Sequence, residues 1–502
     1  MNEQTVNSQE KQWWKYNLFL GGIGILLAAI TYFLVPGEEY AQAPVMAAIV
    51  VLMASWWIME AVPIPVTSLL PIVLFPLFNI SDVAEAGSYY GKPIIFLFLG
   101  GFLLALGLQE SGIHKRIALS IVQVIGSSPK RLILGFMIST GFLSMWISNT
   151  ASVMVMLPIG LSIMEGVKKY INNSKLIASF GVCLMLGIAY AADIGGMATI
   201  IGTPPNLIFL ELYTQLFPDA PPIGFLQWMI ICLPLSIVFM GTGWFILTHF
   251  IYKLPSTKLF QERSSISNQL KEMGPMSRDE KLSGLIFLTA AILWMTGADI
   301  RINDNFTIHG WRYLLNLPYV SDSAVAVATA TLLFLIPSKK KKGKALLSWK
   351  IARAVPWGIL LLFGGGFAIA GGFELSGLSK LIENIFTELP PISPFIIVGL
   401  VCVFVTFLTE LTSNTAITNL LLPILATAAI VLGINPILIM IPATLSASCA
   451  FMMPIASPTQ AIVFGSGYVN IKQMVRAGIW FNMLGVILIM ILFAFISMFW
   501  WN

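Results

Sequence analysis

Two stretches of this chain carry the same uncharged polar tetrapeptide, Ser148-Asn149-Thr150-Ala151 within "WISNTASVM" and Ser413-Asn414-Thr415-Ala416 within "LTSNTAITN". Ser, Asn and Thr are preferred helix N-caps, so each copy is expected to end one half-helix and cap the next. The freed amide N–H groups, the side-chain donors and the positive end of the helix dipole then face an anion such as a carboxylate. The carbonyls closing the preceding half-helix, with Ser and Thr hydroxyls, offer oxygens to a small cation. Two such tips present two carboxylate corners, which fits a substrate with an acid group at each end, a short dicarboxylate. A single copy would read most simply as the cap of a buried turn; the duplication is what turns the reading toward a ligand.

A second interruption follows each tetrapeptide. One is Gly202-Thr203-Pro204-Pro205-Asn206, inside "IGGMATIIGTPPNLIF"; the other is Ala456-Ser457-Pro458-Thr459-Gln460, inside "MMPIASPTQAIVFGSG". Proline removes backbone donors and leaves earlier carbonyls free, although a kink used only for packing gives the same pattern. No Lys or Arg accompanies either tip, and a dianion in a low-dielectric site is costly without a counter-charge. Co-bound cations are therefore expected. Glu60, Glu110, Asp193, Glu374 and Glu410 lie in or beside apolar runs, where an ionisable group is a functional candidate. Glu410, four residues before Asn414, stands out; it would repel an anion and reads as a structural or cation-side group.

The residues holding these tips are overwhelmingly apolar. Of 502 residues, 57% are hydrophobic and 10% charged, and the mean hydropathy is +0.86, which defines an all-α integral membrane protein. Runs near the ~20 residues needed to cross a bilayer start at Asn17, Pro44, Pro65, Pro93, Leu176, Ile223, Leu282, Ser323, Pro356, Pro436 and Gly478, about eleven spans besides the two tip-bearing stretches. The run after the first sixteen residues lacks a small-residue cleavage site and reads as an anchor. With a cytoplasmic amino terminus, 24 of the 28 Lys and Arg residues fall on inner connections, leaving Lys92, Arg301, Arg312 and Lys380 outside. That imbalance obeys the positive-inside rule and places the chain in the cytoplasmic membrane as a multi-pass protein.

The cations cluster at membrane flanks, which argues against a nucleic-acid partner. The Lys253 to Lys281 loop is expected to hold a short surface helix. The lysine run after Pro337 reads as a topology signal or as a contact for anionic lipid. Cys183, Cys232, Cys402 and Cys449 sit in apolar runs as expected buried thiols. Glycine runs such as Gly364-Gly365-Gly366 fit close helix packing better than a phosphate loop. His114, His249 and His309 are scattered, and no nucleophile and base are paired, so an enzyme has little support.

The tetrapeptides are 265 residues apart. The same offset aligns Gly100-Gly101-Phe102 with Gly365-Gly366-Phe367, Ser111-Gly112 with Ser376-Gly377, and Leu157-Pro158-Ile159 with Leu422-Pro423-Ile424. The charge-derived topology runs the two copies in opposite directions, the inverted repeats common in secondary transporters. The expected organisation is 1–92, a first repeat over 93–253, a connecting region over 254–352, and a second repeat over 353–502. Within the repeats, re-entrant hairpins at 131–170 and 394–434 enter from the cytoplasm and from outside. Two complete crossings per hairpin are the alternative. Non-helical backbone at depth requires a cavity or surrounding protein.

Paired Ser-Asn-Thr motifs, each followed by a Thr-Pro-Pro-type break, resemble those of the divalent anion/sodium symporter family, the INDY-like di- and tricarboxylate transporters. The resemblance covers nearly the whole chain. It implies a homodimer in which scaffold helices over 1–92 and 254–352 hold the interface while a transport domain with both hairpins moves as an elevator. It further implies that Asn149, Thr150, Asn414 and Thr415, with Ser148 and Ser413, bind the substrate carboxylates, and that Pro204 and Pro458 lie nearby. One sodium site would use Ser144, Ser148, Asn149 and the Gly202 carbonyl. The other would use Thr409, the Thr412 carbonyl, Asn414 and the Ala456 carbonyl. The sequence departs from the family pattern at Ser457-Pro458-Thr459-Gln460, where Thr-Pro-Pro-Asn would be expected. Some members of the family exchange dicarboxylates without net sodium movement, so both Na+ symport and exchange against a counter-dicarboxylate are open for succinate, malate, fumarate or 2-oxoglutarate. Citrate or another divalent anion, a passive anion channel and a multi-span enzyme acting on a lipid-linked substrate are the remaining readings.

Overall fold

The computed structural model describes residues 3–125, 128–170, 173–255, 263–303, 306–387 and 393–500. The side chains of Lys11, Lys15, Lys169 and Arg301, which enter the charge argument, lie outside the described residues, as does 256–262 of the loop expected to hold a surface helix. A helix in that loop, Arg263–Glu272, is present and packs against Ile113–Ile125.

The apolar runs fold as helices because lipid offers no partner to a free backbone N–H or C=O. Among the described residues eight helices are long and apolar enough to cross a membrane, and five more apolar helices are 10–17 residues long. Two of the eight, Asn149–Lys168 and Asn414–Val431, belong to the tip-bearing stretches, so six of the eleven expected runs form such helices. The runs from Pro44 and Ser323 form unbroken helices of only 17 and 14 residues, and others are interrupted. The run from Pro65 divides into Ile64–Thr67 and Leu70–Leu77, and the run from Pro436 ends at Ala447. The all-α expectation also needs a small correction. Ile300–Asn303 pairs antiparallel with Phe306–Ile308, in a stretch where Ile-Arg-Ile-Asn alternates with the two-residue period of a strand.

The tip-bearing stretches fold as helix pairs. Pro129–Ser144 is followed by Asn149–Tyr170, and Pro394–Leu408 by Asn414–Val431, so 145–148 and 409–413 are non-helical. Likewise Ser174–Gly196 and Pro204–Leu216 flank one unwound segment, and Ile437–Ala447 and Pro458–Gly465 flank another. Pro129, Pro204, Pro394 and Pro458 each open a helix, where the missing N–H would have no partner in any case.

Burial separates centre from periphery. In Tyr16–Leu34 the one buried residue is Gly24, whereas in Ser174–Gly196 every residue from Phe180 onward is buried. The latter helix packs on both arms of the first pair, on Phe225–Phe245 and on Pro458–Gly465. A Cβ on Gly195 would stand 2.3–2.7 Å from the Gly141 backbone, so these two helices meet through bare glycine. The glycine runs do the same elsewhere: Gly100 faces Ala326, Gly365 faces the Ser68 backbone and Gly366 faces Asn419. Gly112 (φ 90°) and Gly377 (φ 75°) adopt left-handed turns that lead into Ile113–Ile125 and Leu378–Thr387. All four cysteines are free and buried.

Candidate transport site at the two helix breaks

Ser148 is the N-cap of its helix, its hydroxyl oxygen accepting from the Ala151 N–H at 3.3 Å. Ser413 occupies the equivalent position without a side-chain cap. Asparagine is fixed in the same way in both copies. The Ser144 hydroxyl donates to Asn149 Oδ1 at 2.6 Å, and the Thr409 hydroxyl to Asn414 Oδ1 at 2.6 Å. Each hydroxyl lies five residues before its asparagine, a pairing written into the 265-residue offset. Thr409 Oγ1 is also 2.9 Å from the Ala447 carbonyl.

The unwound segments are held from within. Asn206 Nδ2 donates to the carbonyls of Gly196 (3.2 Å), Met197 (3.4 Å) and Thr199 (2.7 Å). The Thr199 hydroxyl reaches the Met145 carbonyl and so ties this segment to the first tip. Gly196 must lack a side chain: its Cβ would fall 2.5 Å from Asn149 Oδ1 and 3.2 Å from the Gly202 carbonyl oxygen. Ser144, Asn149 and Gly202 thus supply hard oxygens to one buried corner, a donor set suited to a small cation such as Na+. On the other side Thr412 Oγ1 is buried without a partner.

Both tips open onto one cavity of about 930 Å³. Ser148, Asn149, Thr150, Gly202 and Pro204 line it from one side; Thr412, Ser413, Asn414, Thr415, Ala456 and Pro458 line it from the other. Ser144 and Thr409 are fully buried behind this surface. The lining contains two carboxylates, Glu60 and Asp193, and no Lys, Arg or His among the described residues.

The geometry reassigns the intramembrane acids. Glu410 is absent from the cavity lining; it accepts from the backbone N–H groups of Phe451, Met452 and Met453 and from Asn482 Nδ2, at 2.7–3.0 Å. It anchors the second unwound segment, consistent with a structural role. Glu110 pairs with Lys341 at the periphery. Asp193 is the carboxylate at the site, accepting from Asn149 Nδ2 at 3.1 Å. Its signal in the sequence was an acid four residues before the break that begins at Met197. Trp57, Phe98 and Phe102, which complete the cavity wall, carried no local signal.

Interrupted helices meet at one cavity inside an apolar helical body, the arrangement of a membrane transport protein, and the family and relatives that the chain matches are transporters, not enzymes. The chain belongs to the sodium:sulfate symporter transmembrane region family, which matches residues 10–502. It is 39% identical over 496 residues to the sodium-dependent dicarboxylate transporter SdcS of Staphylococcus saprophyticus, covering 98% of this chain and 93% of that one. It is 41% identical over 483 residues to the Staphylococcus aureus SdcS, covering 94% and 91%. Among solved structures the fold resembles the YdaH transporter of Alcanivorax borkumensis, with TM-score 0.57 and 13% identity over 82% of this chain and 87% of that one. MtrF of Neisseria gonorrhoeae gives TM-score 0.53 and 12% identity, covering 82% and 83%.

Proposed function

We propose that this protein is a sodium-coupled symporter of C4 and C5 dicarboxylates, such as succinate, malate, fumarate or 2-oxoglutarate, in the cytoplasmic membrane. The observation that carries the reading is the single cavity lined by both Ser-Asn-Thr tips, in which the charged residues are Glu60 and Asp193. Asn149, Thr150, Asn414 and Thr415 hold the two carboxylates through neutral donors. With acids and no cationic side chain on that wall, a dianion enters only with cations that travel with it. Sodium fills that role at the Ser144, Ser148, Asn149 and Gly202 corner and at the Thr409, Thr412, Asn414 and Ala456 corner. The sodium dependence and dicarboxylate substrate named for the staphylococcal relatives support the same assignment.

The two repeats run in opposite senses, with the amino terminus in the cytoplasm and re-entrant hairpins at 131–170 and 394–434. Scaffold helices pair two copies of the chain, and the hairpin-bearing domain carries the loaded site across as an elevator. Reconstituted vesicles test the coupling. Radiolabelled succinate should accumulate under an inward sodium gradient with no internal acid. Uptake that ignores sodium and requires internal dicarboxylate rejects symport in favour of exchange.

A further inference from the structure

Asp193 does more than face Asn149. Its second carboxylate oxygen is surrounded by side chains from one short segment of the other half of the chain. Thr459 Oγ1 lies at 2.9 Å, Gln460 Nε2 at 3.3 Å and Ser457 Oγ at 3.4 Å, while the two hydroxyl oxygens are 2.5 Å from each other. These three residues are the ones by which Ser457-Pro458-Thr459-Gln460 departs from the Thr-Pro-Pro-Asn pattern. Asn206, at the matching place in the first break, binds the carbonyls of its own segment; Gln460 instead reaches across to Asp193.

A hydrogen-bonded tie explains the donors but leaves one atom over. Gln460 is fully buried, and its amide oxygen has no partner. The two ends of a carboxamide are exchanged by a half-turn of its last torsion. That turn would replace the Nε2 donor to Asp193 Oδ2 with Gln460 Oε1, an approach of two oxygens that needs a cation between them, and would put Nε2 where the unpartnered oxygen now stands. Four oxygens then converge from Asp193, Ser457, Thr459 and Gln460. A hard cation binding oxygens at about 2.3–2.6 Å spaces its ligands roughly 3–3.5 Å apart, close to the 2.9–3.4 Å that separate Asp193 Oδ2 from the three side chains; the 2.5 Å between the two hydroxyl oxygens opens as the ion enters. One formal charge among neutral oxygens suits a monovalent ion, because site charge sets which ions are held tightly. Asp193 also lines the cavity, where a bare carboxylate would repel an arriving dianion.

We propose that Asp193, Ser457, Thr459 and Gln460 form a further alkali-cation site between the two tips, distinct in its ligands from the two sodium corners described above. The proposal rests on the sodium-symport reading and adds one ion to its cycle. Asp193 holds the ion by charge, and the second break closes over it.

The test is the ratio of 22Na+ to radiolabelled succinate moved by the full-length protein in vesicles. Wild-type is compared with Asp193→Asn and with the near-isosteric Thr459→Val. Each variant should move one sodium fewer per succinate, or need about tenfold more sodium for half-maximal uptake. If Asp193→Asn fails to fold, Thr459→Val and 22Na+ binding to wild-type in detergent decide the matter. An unchanged ratio and sodium dependence in either folded variant overturns the site and leaves symport standing. Sodium-independent uptake by wild-type overturns both.

Discussion

Asn149 and Asn414 face the same problem, since a primary amide exposes a donor and an acceptor and must be told which way to turn. A hydroxyl five residues earlier settles it in each copy, Ser144 in one and Thr409 in the other, by donating to the amide oxygen. The amide nitrogen is then the end available for donation; in Asn149 it already faces a carboxylate, that of Asp193. Under the proposed function both asparagines donate to substrate oxygens. A hydrogen bond to a charged group contributes about 1.5–3 kcal/mol, so Asn149→Ala or Asn414→Ala should weaken succinate binding roughly ten- to hundredfold. Binding of labelled succinate to purified, monodisperse variants measures this. Wild-type affinity in either one removes that asparagine from the site. Glu410 makes the contrast clear: it sits four residues from Asn414, yet both its oxygens are bound to the 451–453 backbone and Asn482.

The helices show how physical rules made some features readable and hid others. Polar tetrapeptides and Pro-containing breaks stand out against apolar runs, so the positions of the interruptions could be read directly. The lengths of the intact pieces could not, because a 20-residue apolar run containing Gly or Pro looks continuous until its backbone is traced. Nor could Asp193 be ranked above Glu410. The helix carrying Asp193 is apolar and buried on all sides from Phe180 onward, so it has no polar face to mark where the acid points. Trp57, Phe98 and Phe102 reach the cavity through tertiary packing alone. The glycine contact between Ser174–Gly196 and Pro129–Ser144 sets how near Asp193 comes to the first tip. Gly195→Ala would force a Cβ to within 2.3 Å of the Gly141 carbonyl oxygen, and backbone cannot step aside as a flexible side chain can. Overpacking of this kind costs about 1–3 kcal/mol, expected as a lower melting temperature of the purified protein. An unchanged melting temperature would show that the helices separate freely at this point.

Under the proposed function, coupling is a property of the assembled cavity, because both tips, both breaks and the surrounding helices contribute to one electrostatic environment. On that reading, Glu60 and Asp193 on the wall imply an order of loading: cations lower the cost of the dianion, which has little reason to bind first. Any ligand that binds only the folded state stabilises it, by about 2.7 kcal/mol at a hundredfold excess over Kd for one site. Sodium should therefore raise the melting temperature relative to choline at equal ionic strength, by something on the order of a few degrees. Succinate should add a further rise in sodium and almost none in choline. Full stabilisation by succinate in choline would mean that the cavity accepts a dianion without cations, and the argument from its missing positive charge would fail with it.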